Sequence, residues 1–232
     1  IAFVNGFLDR ITRAVSRQGG VIDKFIGDAV LCIFEGTDSA QRAVACGIEM
    51  LGEVKTFNTE EGRLKDQPVQ IGIGLHSGPV ILGTIGSLER MDSTVLGLTV
   101  NLAKRLEEVT KKLHVDMIIS DQVAKRLPDR NHYRLRDLGE AWIKGALTPL
   151  TLFEVYDQDP PEVRNLKDRT ESILTEGMGL VRKGHLRDAL AKFQEAQLIS
   201  PQDFPTHLLL ASLKNLLEQN HTIREAALLD LR

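Results

Sequence analysis

The chain of 232 residues has little sulfur or aromatic chemistry to work with: two Cys, four Met, one Trp and two Tyr. Two cysteines make no disulfide framework, and no Cys/His spacing of metal-binding type occurs. Cys32, in an apolar run, and Cys46, on a helical face, read as free buried thiols of a reducing compartment, so a cytoplasmic location is expected. No apolar run approaches the ~18 residues that a membrane span needs, and no basic stretch leads into an apolar one at the N-terminus. Neither a membrane segment nor a secretion signal is therefore expected in this chain. Charge of one sign is also missing: 29 Lys and Arg against 32 Asp and Glu leave a net charge of −3, which excludes a broad basic face for nucleic acid. The first residue is not Met, and no capping residue precedes the helical pattern Phe3, Val4, Phe7, Leu8, Ile11, Val15, so further sequence is expected upstream.

What remains is ordinary globular composition, 42% hydrophobic and 26% charged, in a length that suits one large domain or a medium domain with an appendage. The opening helix stops at Gln18-Gly19-Gly20. A hairpin follows, in which two β-rich runs, Val21 to Ile26 and Ala29 to Phe34, meet at Gly27-Asp28. Such a turn holds Asp28 at a sheet edge. A carboxylate there is either plain turn chemistry or a hard ligand suited to Mg²⁺. From Ser39 to Phe57 the apolar residues recur at helical spacing. Val69, Ile71, Ile73 and Leu75 then alternate with glycines in a strand whose bare side invites another backbone or a ligand, and Pro79 to Gly86 is expected to return as its partner.

The stretch Leu98 to Thr110 is helical in period and carries Asn101 and Arg105 four residues apart. That spacing puts an amide and a guanidinium on one face, fit for a sugar hydroxyl and a phosphate, or simply for solvent. Met117 to Ser120 predicts a short strand, Asp121 to Leu127 a short helix and Thr151 to Tyr156 a closing strand, an α/β or α+β arrangement. At Asp157-Gln158-Asp159-Pro160-Pro161 the composition turns polar and proline-rich, which suggests a joint. Three segments are expected: a domain over 1–156, a linker over 157–169 and helices over 170–232. In the last, Ile173, Gly177, Leu180, Gly184, Ala189, Phe193, Ala196 and Pro201 match the tetratricopeptide pattern, and Phe204 to Glu218 reads as a further helix.

Taken in order, Gly19–Ala29, Ile71–Gly78, Gly83–Ser87, Arg90–Leu106 and Ile143–Gly145 resemble the class III nucleotidyl cyclases across about residues 1 to 156. The resemblance implies a ferredoxin-like palm domain, working as a head-to-tail homodimer with ATP or GTP in the interface and forming a 3′,5′-cyclic nucleotide and pyrophosphate. It implies that Asp28 is the second of two aspartates that hold two Mg²⁺ or Mn²⁺ ions. By the same matching, Lys24 and Thr94 read the purine, Asn101 orients the ribose, Arg105 stabilises charge at the α-phosphate and Lys144 binds the triphosphate. A lysine only donates, so it suits adenine N1 and not the protonated nitrogen of guanine. ATP is the expected substrate, GTP the second choice.

Two departures stand out. The family's first metal aspartate sits on a strand ahead of the opening helix, in a Phe-x-Asp motif that this chain does not contain, and neither Asp9 nor Asp23 replaces it. Leu98 and Lys104 stand where the family commonly has Asp and Ser. The leading expectation is an adenylate cyclase, inactive in the stretch given, whose tetratricopeptide segment receives a protein partner. The alternatives are a degenerate cyclase domain that serves as nucleotide sensor or dimerisation module, and a scaffold in which the repeats matter.

Overall fold

A computed structural model describes residues 1–60, 68–87, 90–218 and 229–231, with the side chains of 85–87 and 90–93 left aside. The elements run α1 (Ala2–Arg17), β1 (Val21–Ile26), β2 (Ala29–Ile33), α2 (Ser39–Glu60), β3 (Ile73–Leu75), β4 (Ile81–Ser87), β5 (Arg90–Leu96), α3 (Leu98–Leu113), β6 (Met117–Ser120), α4 (Asp121–Ala124), β7 (Leu135–Trp142), β8 (Leu150–Val155), α5 (Pro161–Arg182), α6 (Leu186–Ile199), α7 (Phe204–Glu218) and β9 (Leu229–Asp230). Much of the polar stretch Asn58 to Gln67, the centre of the loop after Ser87 and residues 219–228 lie outside the described residues.

A five-stranded mixed sheet of order β3-β6-β8-β7-β9 forms the middle layer. Its strands obey the two-residue period of a pleat covered on both faces. Met117, Ile119 and Val155 face Ala40, Val44 and Leu51 of α2, while Ile118, Leu138 and Leu152 face the opposite layer. Beyond α2, the Phe7 and Ile11 face of α1 closes over Val54 and Phe57. Helix α3 lies on the other face, closer to β3 than side chains would ordinarily allow. A Cβ at Gly74 would sit 2.2 Å from the backbone nitrogen of Glu107 and 2.4 Å from the backbone oxygen of Ala103; one at Gly72 would sit 2.1 Å from Thr110 Oγ1. The bare side of this strand is therefore filled by a helix backbone, which settles the choice the glycines left open.

The strand expected over 79–86 does form, but its partner is β5, not β3. Two seven-residue runs joined by two residues close a local hairpin at much lower entropic cost than a return to an earlier strand. Strand β3 shrinks to three residues, bonded only to β6. Strand β7 had no sequence expectation: its alternation breaks at a bulge between Asp137 and Gly139, where Gly139 takes φ +85° and its N–H bonds Asp137 Oδ1 at 2.8 Å.

Residues 157–169 are not a free joint. Pro161 occupies the first turn of α5, a position where its missing N–H costs nothing, and the helices pack onto the sheet at once. Leu106 and Leu113 of α3, Leu152 of the sheet, Leu174 and Met178 of α5, Phe193 of α6 and Leu209 and Leu213 of α7 belong to one core. Gly177 lets α6 in close, since a Cβ there would lie 2.5 Å from the Phe193 ring. The expected helical run to 232 also ends early, because Leu229–Asp230 adds to β7 as a parallel strand.

Charge is buried at the same junction. Arg136 and Glu154, cross-strand partners on β7 and β8, are each about 1% exposed at the side chain and pair with one another. Lys167 of α5 reaches Glu154 at 2.6 Å and also pairs with Asp159. Arg136 Nη2 lies 2.8 Å from Asp203 Oδ1, too oblique for a hydrogen bond but close enough for strong attraction, while Asp203 accepts from the N–H of Thr206 and caps α7. Burial alone would push the Asp203 carboxyl up, yet the guanidinium and the Thr206 bonds hold it below the ordinary carboxylate range.

Two outcomes are expected in chemical denaturation. Gly74→Ala, meeting rigid backbone, destabilises by about 3 kcal/mol or more, whereas Gly83→Ala, with no atom within 4 Å of the new Cβ, changes stability by less than about 0.5 kcal/mol. Arg136→Met leaves the buried Asp203 carboxylate without a counter-charge and Glu154 with Lys167 alone, and costs about 3–5 kcal/mol at neutral pH. Because Asp203 is depressed in the fold, its contribution is present above about pH 4 and is lost as pH falls through its lower folded value; that acid limb is expected to flatten in the Met variant.

Candidate functional site

The β1–β2 hairpin is irregular where it matters. Ile22 pairs with Cys32 but Lys24 with Leu31, so Asp23 is an extra residue in the ladder. In a regular strand Asp23 and Lys24 would point to opposite faces; the bulge sends both toward β5. Lys24 Nζ donates to Thr94 Oγ1, and the Thr94 hydroxyl in turn lies 3.4 Å from Asp23 Oδ2 as donor. Lys24 Nζ also stands 3.3 Å from Asp23 Oδ2, whose side chain is only 7% exposed against 40% for the lysine. An ammonium has three N–H groups. One is given to Thr94, Asp23 faces the ammonium as its ion-pair partner, and the exposed side is left open to an acceptor.

Lys24 and Thr94 are thus brought together as their pairing implied, and Asp23 joins them as a counter-charge that sequence reasoning missed. Strict alternation places Asp23 on the wrong face, and nothing in the residue types announces the bulge. Asp28 occupies the exposed turn after Gly27, which takes φ +65°, and carries no hydrogen bond or ion pair among the described residues. Among the described residues no group of three His, Cys, Asp or Glu side chains could hold a metal ion. One carboxylate does not hold two divalent ions, so the residues present do not make the implied metal site.

The remaining candidates lie on other elements. Gly97, at φ +140°, turns the chain from β5 into α3, and the Thr99 hydroxyl fastens that turn to the Pro79 carbonyl at 2.7 Å. Asn101 projects exposed from the first turns of α3, while Arg105 Nη1 rests on Glu108 at 2.5 Å. Lys104 is exposed and Leu98 is 44% exposed, so neither is taken up by the core. Lys144 stands exposed on a tight turn after β7, closed by the Ala146 N–H on the Ile143 carbonyl at 3.0 Å, with Gly145 at φ +88°. No hydrogen bond or ion pair among the described residues joins Asp28, Asn101, Arg105 or Lys144 to the Lys24–Thr94 pair. A cleft of about 660 Å³ between the β7–β8 face and α5, lined by Tyr133, Phe153, Tyr156, Asp168 and Arg182, contains none of these candidates.

Apolar side chains surround the candidates instead. Val21, Phe25 and Ile26 on β1, Ile81 and Leu82 on β4, Leu96 on β5 and Leu98 on α3 are all large and exposed. Such a concentration is unusual for a surface that meets only water and marks an interaction face. The two thiols contribute no chemistry, since burial pushes Cys32 up to about 11 and Cys46 up to about 12.

Residues 1–155 match the family described as "Adenylate and Guanylate cyclase catalytic domain". A terminal-differentiation specific adenylate cyclase of Dictyostelium discoideum is 30% identical over 210 residues, which are 89% of this chain and 10% of that protein. The chain thus spans a tenth of the length of that relative. Among solved structures, the adenylyl cyclase CyaB from P. aeruginosa superposes with a TM-score of 0.60 at 28% identity, over 67% of this chain and 81% of that one. The guanylyl cyclase Cya2 does so with 0.59 at 32% identity, over 69% and 81%. Likeness of fold does not by itself choose between the two purines.

The three-membered cluster is testable without any ligand. Asp23→Asn and Thr94→Ala are each expected to destabilise modestly, and together by less than their sum, with a coupling of about 0.5–1.5 kcal/mol by chemical denaturation. Additive losses would show that the contact does not form in solution.

Proposed function

Because this chain belongs to the adenylate and guanylate cyclase catalytic domain family, we propose that it is the catalytic portion of an adenylate cyclase, which takes ATP to 3′,5′-cyclic AMP and pyrophosphate between two copies of the domain. The observation that carries the choice of ATP is the Lys24–Thr94–Asp23 cluster. With Thr94 accepting from it and Asp23 beside it as counter-charge, Lys24 offers a donor to the unprotonated N1 of adenine. In guanine that nitrogen carries hydrogen, and donor would face donor.

The other roles follow from charge and placement. Asn101 holds the ribose, and Arg105, one turn along the same exposed face, meets the charge that grows on the α-phosphate oxygens. Lys144 neutralises the triphosphate from its turn. In one copy these groups share no contact with the purine pair, and the exposed apolar face on β1, β4, β5 and α3 supplies a reason for a second copy to sit there. Divalent ions, when bound, would help to form the 3′-alkoxide and offset phosphate charge, with Asp28 as one ligand. Among the described residues no further carboxylate joins Asp28 in a metal-binding group. The α5–α6 pair, with Gly177 against Phe193, is compatible with a tetratricopeptide unit that receives a protein partner.

Since no group of three His, Cys, Asp or Glu side chains among the described residues could hold a metal ion, a second reading is a domain that binds nucleotide without turning it over. Assay of cyclic AMP formation by this chain with Mn²⁺ is expected to give little product, and robust turnover would overturn the one-carboxylate account. Nucleotide binding tests the purine assignment separately. Lys24→Glu is expected to weaken ATP at least about tenfold while gaining little for GTP, because the new carboxylate lies against Asp23. Adding Asp23→Asn is expected to release the GTP gain. Unchanged discrimination between ATP and GTP, measured by competition, rules out Lys24 as the purine reader.

A further inference from the structure

The C-terminal tail touches two separate elements that carry candidate phosphate-binding groups. Leu229 and Asp230 pair in parallel with Ala141 and Trp142, the last two residues of β7. The Leu231 N–H continues the ladder to the Trp142 carbonyl at 3.0 Å. The next residue is Ile143, 1% exposed, and the tight turn that follows it presents Lys144. Leu231 and Ala146, the residue that closes that turn, pack against the same core, in which Leu229 is itself buried. The tail therefore fixes the strand end from which the turn departs.

The same tail residue reaches α3. Lys112 Nζ donates to the Leu231 carbonyl at 2.9 Å, so Leu231 is bonded through its N–H to β7 and through its C=O to the helix. Lys112 lies four residues beyond Glu108, the partner of Arg105, along one stripe of the helix. At the end of α3, His114 stacks on Phe204, the first residue of α7, with ring centroids 4.0 Å apart and planes 13° from parallel. The C-terminal region thus grips α3 at two successive points. An edge ladder of two or three residues contributes little to global stability, but it fixes the backbone from which an exposed lysine springs.

We propose that the tail Leu229–Leu231 is a positioning element for the nucleotide's phosphates, fixing the Ile143–Ala146 turn that presents Lys144 and tying it, through Lys112, to the helix that carries Asn101 and Arg105. The inference rests on the reading of Lys144 as a triphosphate ligand. It gives the C-terminal region a part in substrate binding that the family match over residues 1–155 does not contain. Anything that lifts the tail loosens the grip on phosphate without altering the purine cluster.

The test uses this chain and three variants. Leu231→Pro deletes one N–H at an edge, Lys112→Met deletes the donor from α3, and Lys144→Ala deletes the proposed ligand. Affinity for methylanthraniloyl-ATP with Mn²⁺ is read by fluorescence, and exchange of the Lys144–Ala146 amides by hydrogen–deuterium exchange. Leu231→Pro and Lys112→Met are expected to weaken the nucleotide roughly three- to tenfold, with faster exchange at the turn in the proline variant. Leu231→Pro is expected to have no further effect once Lys144 is Ala. An equal loss with and without Lys144 would mean general damage and would overturn the proposal. So would wild-type affinity in Leu231→Pro while Lys144→Ala is weak, an outcome that leaves the Lys144 reading intact. Full affinity in Lys144→Ala overturns that reading itself, and the tail's role falls with it.

Discussion

Everything in the palm is registered on the contact between two glycines and a helix backbone. Gly74 lets the α3 backbone sit directly on β3, and Gly72 makes room for the Thr110 side chain beside it. This closeness fixes the height of α3 above the sheet, and through it the position of Asn101 and Arg105. Ordinary helix-on-sheet packing tolerates sliding, because side chains repack; backbone against backbone does not. Asn101 and Arg105 are therefore mounted on a joint with little room to adjust. Lys24 and Thr94, by contrast, lie on two-stranded ribbons that bond to no third strand among the described residues.

The second constraint is electrostatic. Five ionisable side chains, Arg136, Glu154, Asp159, Lys167 and Asp203, meet where β7, β8, α5 and α7 converge. Such a cluster is worth little against a well-packed apolar substitute, but it admits few alternative arrangements, since any shift strands a charge in low dielectric. Carboxylates outnumber cations in it. Burial pushes Asp159 up, with Lys167 opposing, whereas Asp203 is held low by Arg136. The cluster thus orients α5 and α7 on the sheet, while the apolar core shared with α3 supplies the bulk of the adhesion.

Most of the architecture was legible because period and punctuation agreed with tertiary demand. The β6 and α7 bounds match the sequence expectation, and α1, α2 and the first hairpin fall within a few residues of it. What failed did so for definable reasons. Strand β7 hides behind a bulge, β4 found its partner locally, and the proline-rich joint proved to be a helix start. In the candidate site, Lys24 and Thr94 met as their pairing implied, although 70 residues separate them. Asp23 was invisible because its role depends on one extra residue in a ladder. That no hydrogen bond or ion pair among the described residues joins Asn101, Arg105 or Lys144 to that pair could not be read from motif order, which lists residues without saying which face they occupy.

The two-residue strand β9 has a consequence of another kind. The sheet ends on one side at β3, which is short and sits under a helix, and on the other at β7, eight residues long and rich in exchangeable backbone groups. A bare edge of that length is a template for any extended chain that drifts past it, including another copy of the same protein. By occupying Ala141 and Trp142, the tail caps the terminal part of that edge from within the molecule. The same few residues thereby cover backbone groups that would otherwise invite edge-to-edge self-association.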